Sequence, residues 1–162
     1  MQGSNWYSYR ECEQLFDALN VTFYDQFEFR GNTSNYYKPS NSYIDKVLAT
    51  KHGIPITLCL LYASVAKRLG LYCKPVNNPG HFLMCWEFEP PEEGPDKSAL
   101  IFIDCFKRGA REEGNANRMT PTPQQVFQRM VNNLLHGFEA SFLECKVPKN
   151  ASFGQNEIFH IG

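Results

Sequence analysis

The sequence predicts an α+β domain in which helices pack on a small antiparallel sheet. Apolar residues recur at three- and four-residue steps in separate stretches, the pattern of helices with one buried face. Two short runs, His81 to Phe88 and Ala99 to Phe106, are largely apolar on both alternating faces and flank a Pro/Glu/Gly loop, as the arms of a hairpin would. At 162 residues and 43% apolar content the chain has the size of one domain with a real core.

Each element has its own justification. Leu15, Phe16, Leu19, Phe23 and Phe27 trace a first helix, ended by Gly31 to Ser34. Asn35 to Pro39 reads as an extended connection. Ser42, with Asp45 three residues on, is the expected cap of a short helix carrying Ile44, Val47 and Leu48 that stops at Gly53. Pro55 suits the first turn of the next helix, where its missing N–H has no partner to lose. Leu58, Leu61, Val65 and Leu69 form that helix's apolar face and Gly70 its end. The adjoining strip Cys59, Ala63 and Ala66 is small enough for a sheet to approach closely. The charged stretch Lys107 to Met119 is read as a mobile loop. Thr122-Pro123-Gln124-Gln125 makes a capping box for a last helix whose apolar stripe runs through Val126, Phe127, Met130, Val131, Leu134, Leu135 and Phe138. The whole of 1–162 is expected to be one domain, with its core over about 35–143 and a helical segment at 1–34.

Charge and cysteine usage narrow the function. Sixteen basic against seventeen acidic residues leave no basic stripe for phosphate, and the acidic run Glu87 to Asp96 repels it, so nucleic acid is not an expected partner. Six cysteines lie scattered without any C-x-x-C pair, mostly inside apolar runs, which points to a reducing cytoplasmic or nuclear setting. The sequons at Asn20, Asn32 and Asn150 point the other way, but no signal peptide precedes them. No apolar run approaches the ~20 residues a bilayer requires, so no membrane is expected. His52, His136 and His160 lack metal-ligand spacing, and neither metal nor cofactor is expected. Met1-Gln2-Gly3-Ser4 reads like the edge of a cloned segment, with flanking domains cut away.

The chemistry-bearing pair is His81 and Asp104. Antiparallel pairing about the loop matches 81 with 104, 83 with 102 and 85 with 100, placing imidazole and carboxylate on one face, ~5 Å apart at Cβ. That is the orienting half of a Cys-His-Asp hydrolase triad. The plainer reading is a strand-start histidine satisfied by a carboxylate.

Five separated motifs carry a family resemblance. They are Asn41-Ser42-Tyr43-Ile44 with Val47-Leu48, Gly53 to Leu58, Leu69-Gly70-Leu71, Pro79 to Leu83 and Ile103 to Phe106. Over about Asn35 to Gly109, and more weakly into the last helix, the chain resembles the SirB-type branch of the transglutaminase-like superfamily, in particular the copy of this domain within an F-box protein of SCF ubiquitin ligases. The resemblance implies a cysteine-protease-like core, in which a helix bearing the nucleophile at its N-terminus packs on a sheet bearing His and Asp. Here the aligned position is Pro55 or its neighbour. Proline cannot attack a carbonyl.

Two residues compete to replace the thiol. Thr57 lies ~200° around the helix from position 55 and is an unactivated alcohol. Cys59 returns to the same face but one turn deeper, ~5 to 6 Å away from the free N–H groups. The leading reading is therefore a catalytically degenerate domain that binds a protein substrate or degron peptide in a groove lined by Asn41, Tyr43, Thr57, Asn78 and His81. The SCF adaptor would be bound by a domain outside this chain. The second reading is an active thiol hydrolase or acyl-transferase using Cys59, His81 and Asp104. A third is a scaffold whose Trp6, Tyr36 and Tyr37 pack against a neighbouring domain.

Overall fold

The computed structural model describes residues 7–78, 80–88, 99–114 and 120–146. Helix α1 (Tyr9–Asn20) is capped by Ser8, whose hydroxyl accepts from the Glu11 N–H while the Glu11 carboxylate accepts from the Ser8 N–H. It buries Cys12, Phe16 and Leu19 and continues into a wider π-helical turn, Val21–Gln26. A two-residue strand β1 (Arg30–Gly31) pairs in parallel with β2 (His52–Gly53). Between them lie a 3₁₀ turn, Pro39–Ser42, and α2 (Ile44–Thr50).

The start and stop of α2 differ from the sequence expectation. Ser42 belongs to the 3₁₀ turn, and the cap position is Tyr43, which makes no side-chain cap bond. Lys51, in the left-handed conformation, ends the helix two residues before Gly53, and Gly53 is taken up by β2.

Helix α3 (Pro55–Arg68) begins with proline at its first position and ends before Gly70, whose φ is +82°. Its buried face is Leu58, Cys59, Tyr62 and Ala66, rotated from the expected Leu58-Leu61-Val65-Leu69 row; Leu61 and Val65 are half-buried and Leu69 exposed. The small strip wins because β4 packs against it, and small side chains let the layers approach.

The sheet is an antiparallel meander of β3 (Cys73–Asn78), β4 (His81–Phe88), β5 (Ala99–Asp104) and β6 (Ala110–Glu113). One face carries Phe82, Met84, Trp86, Phe88, Ile101 and Ile103 into the main core with α1 and α3. The other face holds a small cluster of Val76, Leu83, Cys85 and Phe102. The hairpin register differs by two from the one expected: Met84 pairs with Ile103, Cys85 with Phe102 and Trp86 with Ile101. Side chains alternate with period two, so the slip keeps His81 and Asp104 on a common face but makes them diagonal instead of opposite.

Two strands carry weaker sequence signals. Charged β6, Ala-Arg-Glu-Glu, falls in the stretch read as a loop, and charge is how an edge strand avoids pairing with other chains. The opposite edge, β3, contains Pro75, which only an edge tolerates. The acidic loop 89–98 lies outside the described residues, as do 115–119 of the expected mobile loop.

Helix α4 (Pro123–Lys146) has the expected reciprocal cap: the Thr122 N–H donates to Gln125 Oε1 and the Gln125 N–H to Thr122 Oγ1. Its apolar stripe is only partly covered. Val126 and Met130 pack on the core, whereas Phe127, Leu135 and Phe138 are exposed. Among the described residues no helix is long and apolar enough to cross a membrane.

Candidate functional site

The site is built where three elements end or begin: the N-terminus of α3, the start of β4 and the end of β5. Gly80, with φ +78°, makes the tight turn that delivers His81. Asp104 closes β5, and its Oδ1 accepts the N–H groups of Phe106 and Lys107, fixing the carboxylate while capping the 3₁₀ turn Cys105–Lys107. Its Oδ2 lies 2.9 Å from His81 Nε2. That is hydrogen-bond distance, but the Nε2–H direction falls outside hydrogen-bond alignment, so the pair is a close contact and not a well-formed hydrogen bond. Lys107 Nζ stands 3.8 Å from the same oxygen. The edge of the His81 ring meets Phe106, with centroids 6.3 Å apart. With Nε2 turned to Asp104, Nδ1 is the ring atom left for chemistry.

His81 opens into a cavity of about 850 Å³. Pro55 of α3, Asn77 of β3, Phe106 and Lys107 line one side, Tyr36 and Tyr37 another. The remaining wall is the polar face of α4, namely Gln125, Gln128, Arg129, Asn132, Asn133 and His136. The structure thus brings His81 and Pro55, the first residue of α3, to the wall of one cavity.

The two candidate replacements are both withdrawn from this cavity. Thr57 is fully buried; its hydroxyl accepts the Ile54 N–H, and its Oγ1 stands 2.8 Å from the Asn41 carbonyl oxygen and 3.0 Å from that of Ile54, the two acceptors open to its proton. It is a structural cap of α3. Cys59 is 1% exposed, packs in the core with its Sγ 3.8 Å from the Phe82 carbonyl, and is not part of the cavity wall. Its neighbour Cys105 is wholly buried, and desolvation, reinforced by contact with Cys59, pushes that thiol well above its ordinary range. A thiolate is disfavoured at Cys105.

The expected groove residues separate. Asn41 is buried and holds the 32–36 loop, donating to the carbonyls of Asn35 and Tyr36 and accepting from Asn32. Tyr43 is exposed at the start of α2 and outside the cavity wall. Asn78 pairs with His81 across the β3–β4 turn, and its carbonyl accepts from Arg129, while Asn77 supplies the side chain on the cavity wall. Tyr36 and Tyr37, which the third reading would pack on a neighbouring domain, flank the cavity; Trp6 lies outside the described residues.

What the sequence reading missed is the α4 wall. The signal was there: Gln125, Gln128, Arg129, Asn132, Asn133 and His136 recur at helical spacing on the face opposite the apolar stripe, a row that reads equally well as solvated surface. Among the described residues no group of three or more His, Cys, Asp or Glu is placed to hold a metal ion.

Comparison with known proteins agrees with this frame. The family model described as the transglutaminase-like superfamily matches residues 4–122. The chain belongs to that superfamily. It is 38% identical over 134 residues to F-box only protein 21 of Mus musculus and 37% identical to that of Homo sapiens, in each case covering 75% of this chain and 21% of the relative. It is also 39% identical over 92 residues to a UPF0162 protein of Xylella fastidiosa, covering 57% of this chain and 30% of that protein. The chain therefore spans about a fifth of the length of the F-box relatives. No solved structure matches it.

Proposed function

We propose that this transglutaminase-like domain has lost catalysis and uses the cavity beside His81 to hold a segment of another protein, as part of an intracellular substrate-recognition subunit of an SCF-type ubiquitin ligase. The observation that carries the reading is Pro55: it lines the cavity with His81 at the helix start where the resemblance places the nucleophile, and both nearby alternatives are buried in packing roles. Removing the nucleophile from a triad typically costs ~10⁶ in turnover, so an imidazole and carboxylate alone are nearly inert. The cavity itself remains, within the size range of binding sites for small ligands and short peptides. The likeness to F-box only protein 21 supports the ubiquitin-ligase setting, and adaptor binding falls to a domain outside this chain.

Two measurements test it. Amine incorporation into a glutamine-donor protein and hydrolysis of an activated ester should proceed no faster with this protein than with its His81→Ala variant. Turnover that depends on His81 overturns the loss of catalysis. Heptapeptide pools carrying a neutral dye should bind saturably by fluorescence anisotropy. Asn133→Trp, which fills the cavity without touching the His81–Asp104 pair, should abolish that binding while the protein still unfolds cooperatively. Binding that survives the filled cavity moves the site elsewhere.

A further inference from the structure

The chemistry of the cavity wall names the kind of segment it takes. Its basic members are His81, Lys107, Arg129 and His136; among the described residues no aspartate or glutamate lines it. This is a local feature, because the chain as a whole carries a net charge of −1. Three of these already have a carboxylate beside them: Asp104 serves His81 and Lys107, and His136 lies 3.6 Å from Glu139 at the surface. Arg129 is different. Its Nη1 reaches from α4 to the sheet, donating to Asn77 Oδ1 at 2.8 Å and to the Asn78 carbonyl at 3.0 Å, and both acceptors are neutral. These bonds fix the guanidinium in place without neutralising it.

A guanidinium carries five N–H donors, so with Nη1 satisfied, Nη2 and Nε remain in the fork geometry that grips a carboxylate with two parallel bonds. Gln125, Gln128 and Asn133 beside it offer amide donors and acceptors suited to a peptide backbone. We propose that the cavity recognises a peptide carboxylate, either an Asp or Glu side chain or a C-terminus, with Arg129 as its anchor. This rests on the cavity being the binding site.

The test uses the full 162-residue protein and heptapeptide pools labelled with a neutral dye. One pool is capped at both ends with a fixed central Glu, a second is its Gln counterpart, and a third has the Gln centre but a free C-terminus. A charge-assisted fork should make one of the carboxylate pools bind about tenfold or more tighter than the capped Gln pool. Which one does so tells side chain from C-terminus. Arg129→Gln should erase the difference, Arg129→Lys should retain part of it, and Lys107→Gln, which leaves α4 tied to the sheet, should change it less. Equal binding of all three pools, still abolished by Asn133→Trp, overturns the carboxylate proposal and leaves the cavity as the site. Binding of none overturns both. A preference that persists in Arg129→Gln overturns the anchor.

Discussion

Gly137 sits in the middle of α4, where glycine costs a helix ~1 kcal/mol relative to alanine. On propensity alone Gly137→Ala should stabilise the protein. The structure reverses the sign. A Cβ built at Gly137 would lie 2.2 Å from the Tyr37 carbonyl oxygen and 3.3 Å from Pro39 Cγ, where real Cβ contacts under 3.0 Å essentially never occur. Relief requires the helix and the Tyr37–Pro39 turn to separate by roughly 0.8 Å, and close-packed interiors yield little. The obstacle is backbone beside a proline, with no flexible side chain to swing away, so the overpacking cost should fall near the top of its usual ~1 to 3 kcal/mol. Net of the propensity gain, we expect a loss of ~1 to 2 kcal/mol, or a fall in Tm of a few degrees for a chain of this size. Thermal and urea unfolding followed by circular dichroism read it directly. Because Tyr37 and α4 form facing parts of the cavity wall, peptide binding should weaken in parallel. A Gly137→Ala protein that melts higher than its parent would mean that α4 does not rest on the Tyr37 carbonyl, and the cavity built between them would fall with that contact.

Asp104→Ala should cost ~1 to 3 kcal/mol, since it strands the N–H groups of Phe106 and Lys107 together with a largely shielded His81 nitrogen; chemical denaturation gives the value, and a change under ~0.5 kcal/mol would contradict this accounting. Iodoacetamide at neutral pH should label Cys59 slowly, at a rate that His81→Ala leaves unchanged, because the sulfur is buried against Phe82; peptide mapping by mass spectrometry reports it, and fast His81-dependent labelling would restore the hydrolase reading. Alkaline pH should destabilise the fold. Burial raises Cys12 from 9.0 to about 11 and moves Tyr24 and Tyr62 upward as well, so each group is held neutral in the fold beyond the pH at which it ionises in the unfolded chain. That contribution is whole below pH 9 and is lost as pH rises through 9 to 11 and beyond, so the urea midpoint should fall steadily there; a flat profile would refute it.

The elements legible in the sequence were those whose signal is local. Pro55 at a helix start and Thr122 with Gln125 as a capping pair depend on neighbours within one turn, and the fold keeps them. The common face of His81 and Asp104 was readable because strand parity survives a slip of two residues. The register itself was not, since it depends on where β3 and β6 pair on either side, and both edge strands are disguised by Pro75 and by the charges of β6. The α4 wall was hidden for a related reason: a row of amides and cations at helical spacing looks the same whether it meets water or a cavity. The approach of Gly137 to Tyr37, with Arg129 bound to β3 and Val126 and Met130 packed on the core, turns that row inward.

The last rung between the two central strands joins Met84 to Ile103. His81 lies three residues beyond it, anchored from outside by Asn78, and Asp104 lies one beyond, anchored by Ala110. Each partner is thus fastened to an outer strand while the backbone between the inner two has already parted. The imidazole–carboxylate contact works as a clasp across a split seam, and releasing it breaks a side-chain contact while leaving the interstrand ladder whole. Release of that contact is then a local opening, well below the free energy of global unfolding. In native-state hydrogen exchange the amides at this end of β4 should open without crossing to the fully unfolded state, and a ligand gripping the wall beside them should close the seam.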